Sequence, residues 1–205
     1  MASAPAPHML TRASHRAPEP HGLRFVGDLT LAPARVHEFC GLSRRTLAMI
    51  AAGRTEGSVM WIAPSWTLGG PHPEGFMPFV DPGRVVFVAP KRAEDLLWCM
   101  EEVLRSGIVT ATVADLPDPP SLTAVRRLHL AAETGAAASG APPLGILLTP
   151  EGAAQGVESR WALSPRHHGQ TALSWRLERL RARTAPPASW AVSPGKGGLV
   201  AETAA

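Results

Sequence analysis

The run at residues 109–135, VTATVADLPDPPSLTAVRRLHLAAETG, restricts the fold more than any other part of the chain. Residues 109–114 are apolar and rich in β-branched side chains, the pattern of a strand covered on both faces. Asp115 follows at the carboxyl end of that strand. Pro117, Pro119 and Pro120 forbid helix through the turn and push the residues before them to extended backbone. Ser121 then reads as an N-cap. Leu122, Val125, Leu128 and Ala132 share one helical face, and Gly135 reads as the stop. A strand buried on both faces belongs to a parallel sheet flanked by helices. An acid at its end lies where open α/β sheets place ligand chemistry.

The rest of the chain repeats this βα grammar and then abandons it. Residues 23–31 hold a short edge strand, and Val36–Cys40 a better one that ends in Gly41. Ser43 opens a helix packed through Leu47, Ala48, Ile50 and Ala51, with Gly53 at its end. Residues 59–63 and 84–89 are further strands. Ala93–Ser106 is the clearest helix, with Leu96, Leu97, Met100, Val103 and Leu104 on its apolar stripe and Asp95, Glu101, Glu102 and Arg105 facing water. Residues 136–143 read as a mobile connection, and 144–149 as another buried strand. Beyond Glu158 the pattern changes to antiparallel strands at 159–164 and 174–183, with a third at 190–193. Leu173, Leu177 and Leu180 also share a helical face, but context favours strand. The sum is an α/β fold: a mostly parallel central sheet flanked by helices, with a carboxyl-terminal antiparallel extension.

Residues 1–22 mix Ala, Pro, His and Ser without periodicity and read as a disordered amino-terminal tail; residues 194–205 read as a disordered carboxyl-terminal tail. Residues 23–193 form a single domain, and 205 residues suffice for one sizeable core. No apolar run approaches the ~20 residues that span a bilayer, and residues 1–22 lack the apolar centre of a signal peptide. A cytoplasmic protein without membrane contact is the expectation. Cys40 and Cys99 sit in apolar surroundings, which suits buried free thiols. No Cys or His set has metal-binding spacing, and adjacent His167 and His168 read as solvated loop residues.

The formal charge is +3, and of twenty basic residues all but Lys91 and Lys196 are arginine. Arg176, Arg179, Arg181 and Arg183 concentrate positive charge near the carboxyl terminus, with Arg160 and Arg166 before them. On a strand, Arg179, Arg181 and Arg183 project to one side as a row of phosphate contacts, beside Trp161 and Trp175 as base-stacking platforms. The bland reading makes the arginines a solvated face and the tryptophans core. Residues 64–82 form a Pro- and Gly-rich loop carrying Trp66, Phe76 and Phe79. They are either a lid held on the core by those aromatics or a partner-binding surface.

Four runs in order resemble the RecA-like core, and more narrowly the ImuA family of accessory factors in damage-inducible translesion DNA synthesis. They are VHEFCG at 36–41; DPGRVVFV at 81–88 leading into AEDLLWCMEEVLRSG at 93–107; LTAVRRL at 122–128 followed by LAAE at 130–133; and WRLERLRAR at 175–183 followed by Pro186-Pro187.

The resemblance implies a RecA-like fold over residues 23–193 and locates a nucleotide site, in worn form. A phosphate loop needs GxxxxGK[ST], whose amides wrap the phosphates and whose lysine reaches the outer ones. At that place the chain reads Gly41-Leu42-Ser43-Arg44-Arg45-Thr46, with no second glycine and no lysine. The position of the family's catalytic glutamate, Ala63-Pro64-Ser65, carries no acid. Asp115 matches the magnesium-binding acid but stands alone, and is expected to cap or order the turn at residues 117–121. Without the lysine and the base, little remains to stabilise phosphoryl transfer. The resemblance therefore implies a non-catalytic adaptor with no bound cofactor or metal. Its partners would be an ImuB-type polymerase-like protein, an error-prone replicative-type DNA polymerase and RecA. The alternatives are a DNA-binding repair protein that uses the arginine row and a SulA-like inhibitor of cell division.

Overall fold

The computed structural model describes residues 22–67, 69–166, 173–196 and 198–203. Strand β1 (Leu23–Val26) turns at Gly27 into β2 (Leu29–Leu31), so residues 23–31 form a separate two-stranded antiparallel hairpin rather than one edge strand. Strand β3 (Val36–Cys40) feeds helix α1 (Arg44–Ala52) and then β4 (Val59–Ile62). A single turn of helix, α2 (Pro73–Phe76), interrupts the long loop before β5 (Val85–Val88). Helix α3 (Ala93–Ser106), strand β6 (Ala111–Asp115), helix α4 (Leu122–Ser139) and strand β7 (Leu144–Leu148) complete the βα part. Strands β8 (Ser159–Pro165), β9 (Trp175–Ala182), β10 (Ala188–Gly195) and β11 (Gly198–Thr203) follow.

Nine strands make one sheet in the order β11-β10-β9-β8-β3-β7-β6-β4-β5. From β8 to β5 every neighbouring pair is parallel; β8, β9, β10 and β11 are joined antiparallel. Strands β3, β6 and β7 are buried along their whole length, as their apolar runs require when both faces are covered. One face is closed by α1, the β1–β2 hairpin and α2 over Phe39, Trp61, Ile146 and Trp161. The other is closed by α3 and α4, packed on each other and on Val36, Ile62, Ala114 and Leu147.

Four local expectations need correction. Helix α4 does not stop at Gly135. It runs on through Ala136, Ala137, Ala138 and Ser139 to a left-handed cap at Gly140 (φ 72°), because an alanine run is strong helix former. Residues 136–139 are therefore helix, not mobile connection. Gly135 lies where α4 crosses the end of α3: a Cβ there would sit 2.0 Å from the Leu104 carbonyl oxygen, so the glycine serves close packing. Glu101 does not face water; it is buried and paired with Arg105 and, at 2.6 Å, with Arg127 of α4. Residues 198–203 are not tail. They form β11, which pairs with β10 from Trp190↔Thr203 to Gly195↔Gly198, and the Gly27 amide donates to the Leu199 carbonyl at 3.2 Å. Alternating half-buried Leu199 and Ala201 against the core supplied the signal that a Gly-rich composition hid.

Candidate functional site

Three parallel strands end in register at one edge of the sheet: Phe39 of β3 lies beside Leu148 of β7, and Leu148 beside Asp115 of β6. With strands ~4.8 Å apart, Asp115 stands about 10 Å across the sheet from β3. The loop leaving β3 carries the expected worn phosphate-loop residues, Gly41 to Thr46. Gly41 takes φ 85°, and a Cβ there would meet the Leu163 carbonyl oxygen at 2.8 Å, so only glycine fits. The loop is tied down by its neighbours. The Gly41 amide donates to the Pro150 carbonyl (3.3 Å), and the Ser43 amide to the Leu163 carbonyl (3.0 Å). Ser43 gives α1 no side-chain cap, while Arg44 reaches back to the Gly41 carbonyl at 3.3 Å. The Gly41 and Ser43 amides are thus already spent on protein carbonyls.

The first turn of α1 then carries the decisive contact. Arg45 Nε donates to Asp115 Oδ2 at 2.6 Å, and its terminal nitrogen donates to the Gly69 carbonyl of the long loop. Asp115 is buried and Arg45 half-buried, so the pair is only partly screened by solvent. Thr46 lies beside Arg45 in the same half-buried turn. The structure therefore brings Gly41, Arg45, Thr46 and Asp115 to one place. It also corrects the expected role of Asp115: the carboxylate answers Arg45 instead of the proline turn. That turn is closed by Ser121, whose hydroxyl accepts from the Ala124 amide at 3.3 Å.

The Arg45 guanidinium thus supplies positive charge at the Asp115 carboxylate. Among the described residues no group of three or more His, Cys, Asp or Glu side chains is placed to hold a metal. Cys40 is a buried free thiol, raised to about 11 by burial and by Glu38; Cys99 is half-buried and also free. No helix among the described residues is long and apolar enough to cross a membrane. The sequence matches no protein-family model, and no curated protein matches it.

A second charged group beside this edge gave little sign of itself in the sequence. Glu38 of β3 is fully buried. It accepts from the Thr149 hydroxyl (2.6 Å) and the Ala154 amide (2.9 Å), and Arg160 Nε of β8 donates to its other oxygen. Arg160 in turn donates to the Ala154 carbonyl at 2.6 Å. An acid between Val36 and Cys40 in a strand buried on both faces needs such a partner, and that is the signal available from sequence. On the opposite face of β3, His37 is buried. Its Nε2–H donates to the Ala32 carbonyl at 3.0 Å, which leaves Nδ1 to accept from the Ser159 hydroxyl at 2.7 Å. Trp161 Nε1–H donates to Ser159 Oγ at 2.7 Å, completing the chain. Burial lowers the His37 pKa to about 4.

The candidate contact surfaces are rearranged. Of the loop aromatics, Trp66 is 51% exposed. Phe76 is buried, because the turn of α2 directs it inward against Phe87 (ring centroids 6.3 Å apart), and Phe79 packs half-buried on the core. These two do not offer a partner surface. Trp161 and Trp175 are core residues and cannot stack bases. Nor do Arg179, Arg181 and Arg183 form one row. The β8–β9 register runs Trp161↔Arg179 and then Arg160↔Arg181, which leaves Leu180 as an extra residue. One extra residue inverts the alternation of side chains beyond it. Arg179 accordingly covers the rings of Trp161 and Trp190, 5.6 and 5.1 Å from their centroids, donates to the Pro186 carbonyl at 2.9 Å, and has its pKa pulled down by burial. Arg181 and Arg183 turn instead toward α4 and line a cleft with it. Arg176 is paired with Glu178 at 3.0 Å. His167 and His168 lie outside the described residues.

Proposed function

We propose that the protein is a non-catalytic adaptor on a RecA-like core, of the ImuA type, acting in damage-inducible, error-prone translesion DNA synthesis. In this reading it works by protein contacts with an ImuB-type polymerase-like protein, an error-prone replicative-type polymerase and RecA, and contacts DNA only through them. The observation that carries it is the Arg45–Asp115 ion pair. The residue at the place of the phosphate-loop lysine neutralises the acid at the place of the magnesium ligand. The Gly41 and Ser43 amides are bonded to the Pro150 and Leu163 carbonyls. Positioning and charge stabilisation make up nearly all of phosphoryl-transfer catalysis, and an arginine committed to the acid supports the non-catalytic reading. The βα order, with the worn loop after β3 and the lone acid after β6, supports the RecA-like assignment.

The test is a pull-down with purified protein from damage-treated cell extract, with and without nuclease, beside an ATP titration on the same preparation. The expected result is a polymerase-related partner that survives nuclease, and no saturable ATP binding. Saturable ATP binding abolished by Asp115→Ala would overturn the non-catalytic reading. Recovery that vanishes with nuclease would favour a DNA-binding protein instead, and recovery of the tubulin-like division protein a SulA-like inhibitor.

A further inference from the structure

A cleft of about 630 Å³ opens between α4 and the strand ends of β8 and β9, away from the Arg45–Asp115 edge. Its charges do not cancel. Arg35 pairs with Glu133 and lies 3.8 Å from Glu158, and Arg183 lies 3.5 Å from Glu158. His129 is used on both nitrogens: the Val36 amide donates to Nδ1 at 3.3 Å, and Nε2 donates to the Gly156 carbonyl at 3.1 Å. That leaves Arg126 from the helix and Arg181 from the strand. Both are exposed, and neither has an ion pair or side-chain hydrogen bond among the described residues.

Arg126 does not stand on a polar face. Leu122 and Leu130 lie four residues to either side of it, on the same ridge of α4, and line the cleft with it. Leu130 is 62% exposed and Leu122 36%. The cleft therefore offers a guanidinium between two leucines on one wall and a second guanidinium on the other. A phosphodiester backbone suits it poorly. Such a ligand has nothing to place on the leucines, and no Trp, Phe or Tyr side chain lines the cleft for its bases. A peptide with carboxylates flanked by apolar side chains suits Arg126, Arg181 and the two leucines together, since arginine forks match carboxylates and the leucines take the flanking residues, while Glu133 and Glu158 are already answered by Arg35 and Arg183.

We infer that this cleft is a docking site for an acidic segment of a partner protein, in which Asp or Glu is flanked by aliphatic residues. The choice of a protein ligand rests on the adaptor reading; the position and chemistry of the site rest on the cleft. A random peptide library displayed on phage, selected on the purified full chain, tests it. Selected peptides should carry Asp or Glu beside Leu, Ile, Val or Met. Synthesised with a fluorescent label, they should bind at least about tenfold more weakly to Arg126→Glu/Arg181→Glu and to Leu130→Ser, because charge-assisted contacts and apolar anchors dominate such interfaces. Thermal unfolding of both variants should match the parent, since the altered side chains are exposed. Selected peptides that are not acidic, or that bind the double variant as well as the parent, would overturn the site. So would a poly-deoxythymidine oligonucleotide that displaces the peptide and is itself weakened by the double variant. The selection uses purified protein alone, so its failure leaves the extract pull-down to judge the adaptor reading, and a failed pull-down leaves a measured peptide site standing.

Discussion

Acidification between pH 6.5 and about 4 should destabilise the protein through His37. The imidazole is fully buried and uncharged, and both nitrogens are committed, to Ala32 and to Ser159. Its pKa falls from 6.5 to about 4, with desolvation the main cause and the nearby His129 and Arg35 adding to it. Between those two pH values the unfolded chain binds a proton that the folded chain refuses. Stability is therefore fully present above pH 6.5 and is lost as pH falls toward 4. One pH unit is worth about 1.4 kcal/mol, so the whole interval is worth about 3 kcal/mol. That is a large part of the ~5–15 kcal/mol expected of a domain. His129 is also lowered by burial and acts in the same direction, so the variant His37→Gln is needed to isolate the His37 share. Urea unfolding followed by tryptophan fluorescence at pH 7.5, 6.5, 5.5 and 4.5 supplies the measurement. The parent should lose about 2–3 kcal/mol more than His37→Gln across that range, whatever the variant costs at pH 7.5. Parallel pH profiles for the two proteins would refute the assignment of a neutral, sealed imidazole.

Three further perturbations probe the packing and the two ion pairs. Gly135→Ala should cost about 1–3 kcal/mol in chemical denaturation despite alanine's better helix propensity, because its Cβ must displace backbone at Leu104. Arg160→Met should cost about 3–5 kcal/mol by leaving Glu38 buried without its cation, whereas Glu38→Gln/Arg160→Met should cost clearly less; equal losses would show that the pair is not coupled. Arg45→Ala should lower the urea midpoint by an amount equal to about 1–3 kcal/mol, and Asp115→Asn on that background should recover part of it, as a double-mutant cycle will show.

The elements that alternate apolar and β-branched runs with capped helices were legible because each is fixed by its own residues. Ala93–Ser106 carries a full apolar stripe and a terminal glycine, and the bounds read from sequence are those observed. Val36–Cys40 and the Ser121 cap are of the same kind. What was illegible depends on residues far apart in the chain. Gly135 looks like a stop signal unless Leu104 is known to lie against it. Leu180 becomes an extra residue only through the register that β8 imposes on β9, and that one residue splits the apparent arginine row. Asp115 reads as a cap for the proline turn until Arg45, seventy positions earlier, is placed on it.

The carboxyl edge of the parallel sheet is closed by arginine at two points. Asp115 is met by Arg45, and Glu38 by Arg160. In an open α/β sheet this edge is the usual ligand site, and its uncompensated charge and free amides are what a ligand would bind. Here the acids have protein cations and the Gly41 and Ser43 amides have protein carbonyls. On the flank, Arg126 and Arg181 line one cleft without an ion pair among the described residues, with leucines beside one of them. A guanidinium already bonded to a buried carboxylate must break that bond before it can serve a ligand, while an exposed, unpaired one loses only its hydration. Recognition chemistry on this fold is therefore cheaper on the flank of α4 than at the sheet edge, and a mutational scan for partner binding should find its largest effects at Arg126, Leu130 and Arg181 and small ones at Arg45 and Thr46.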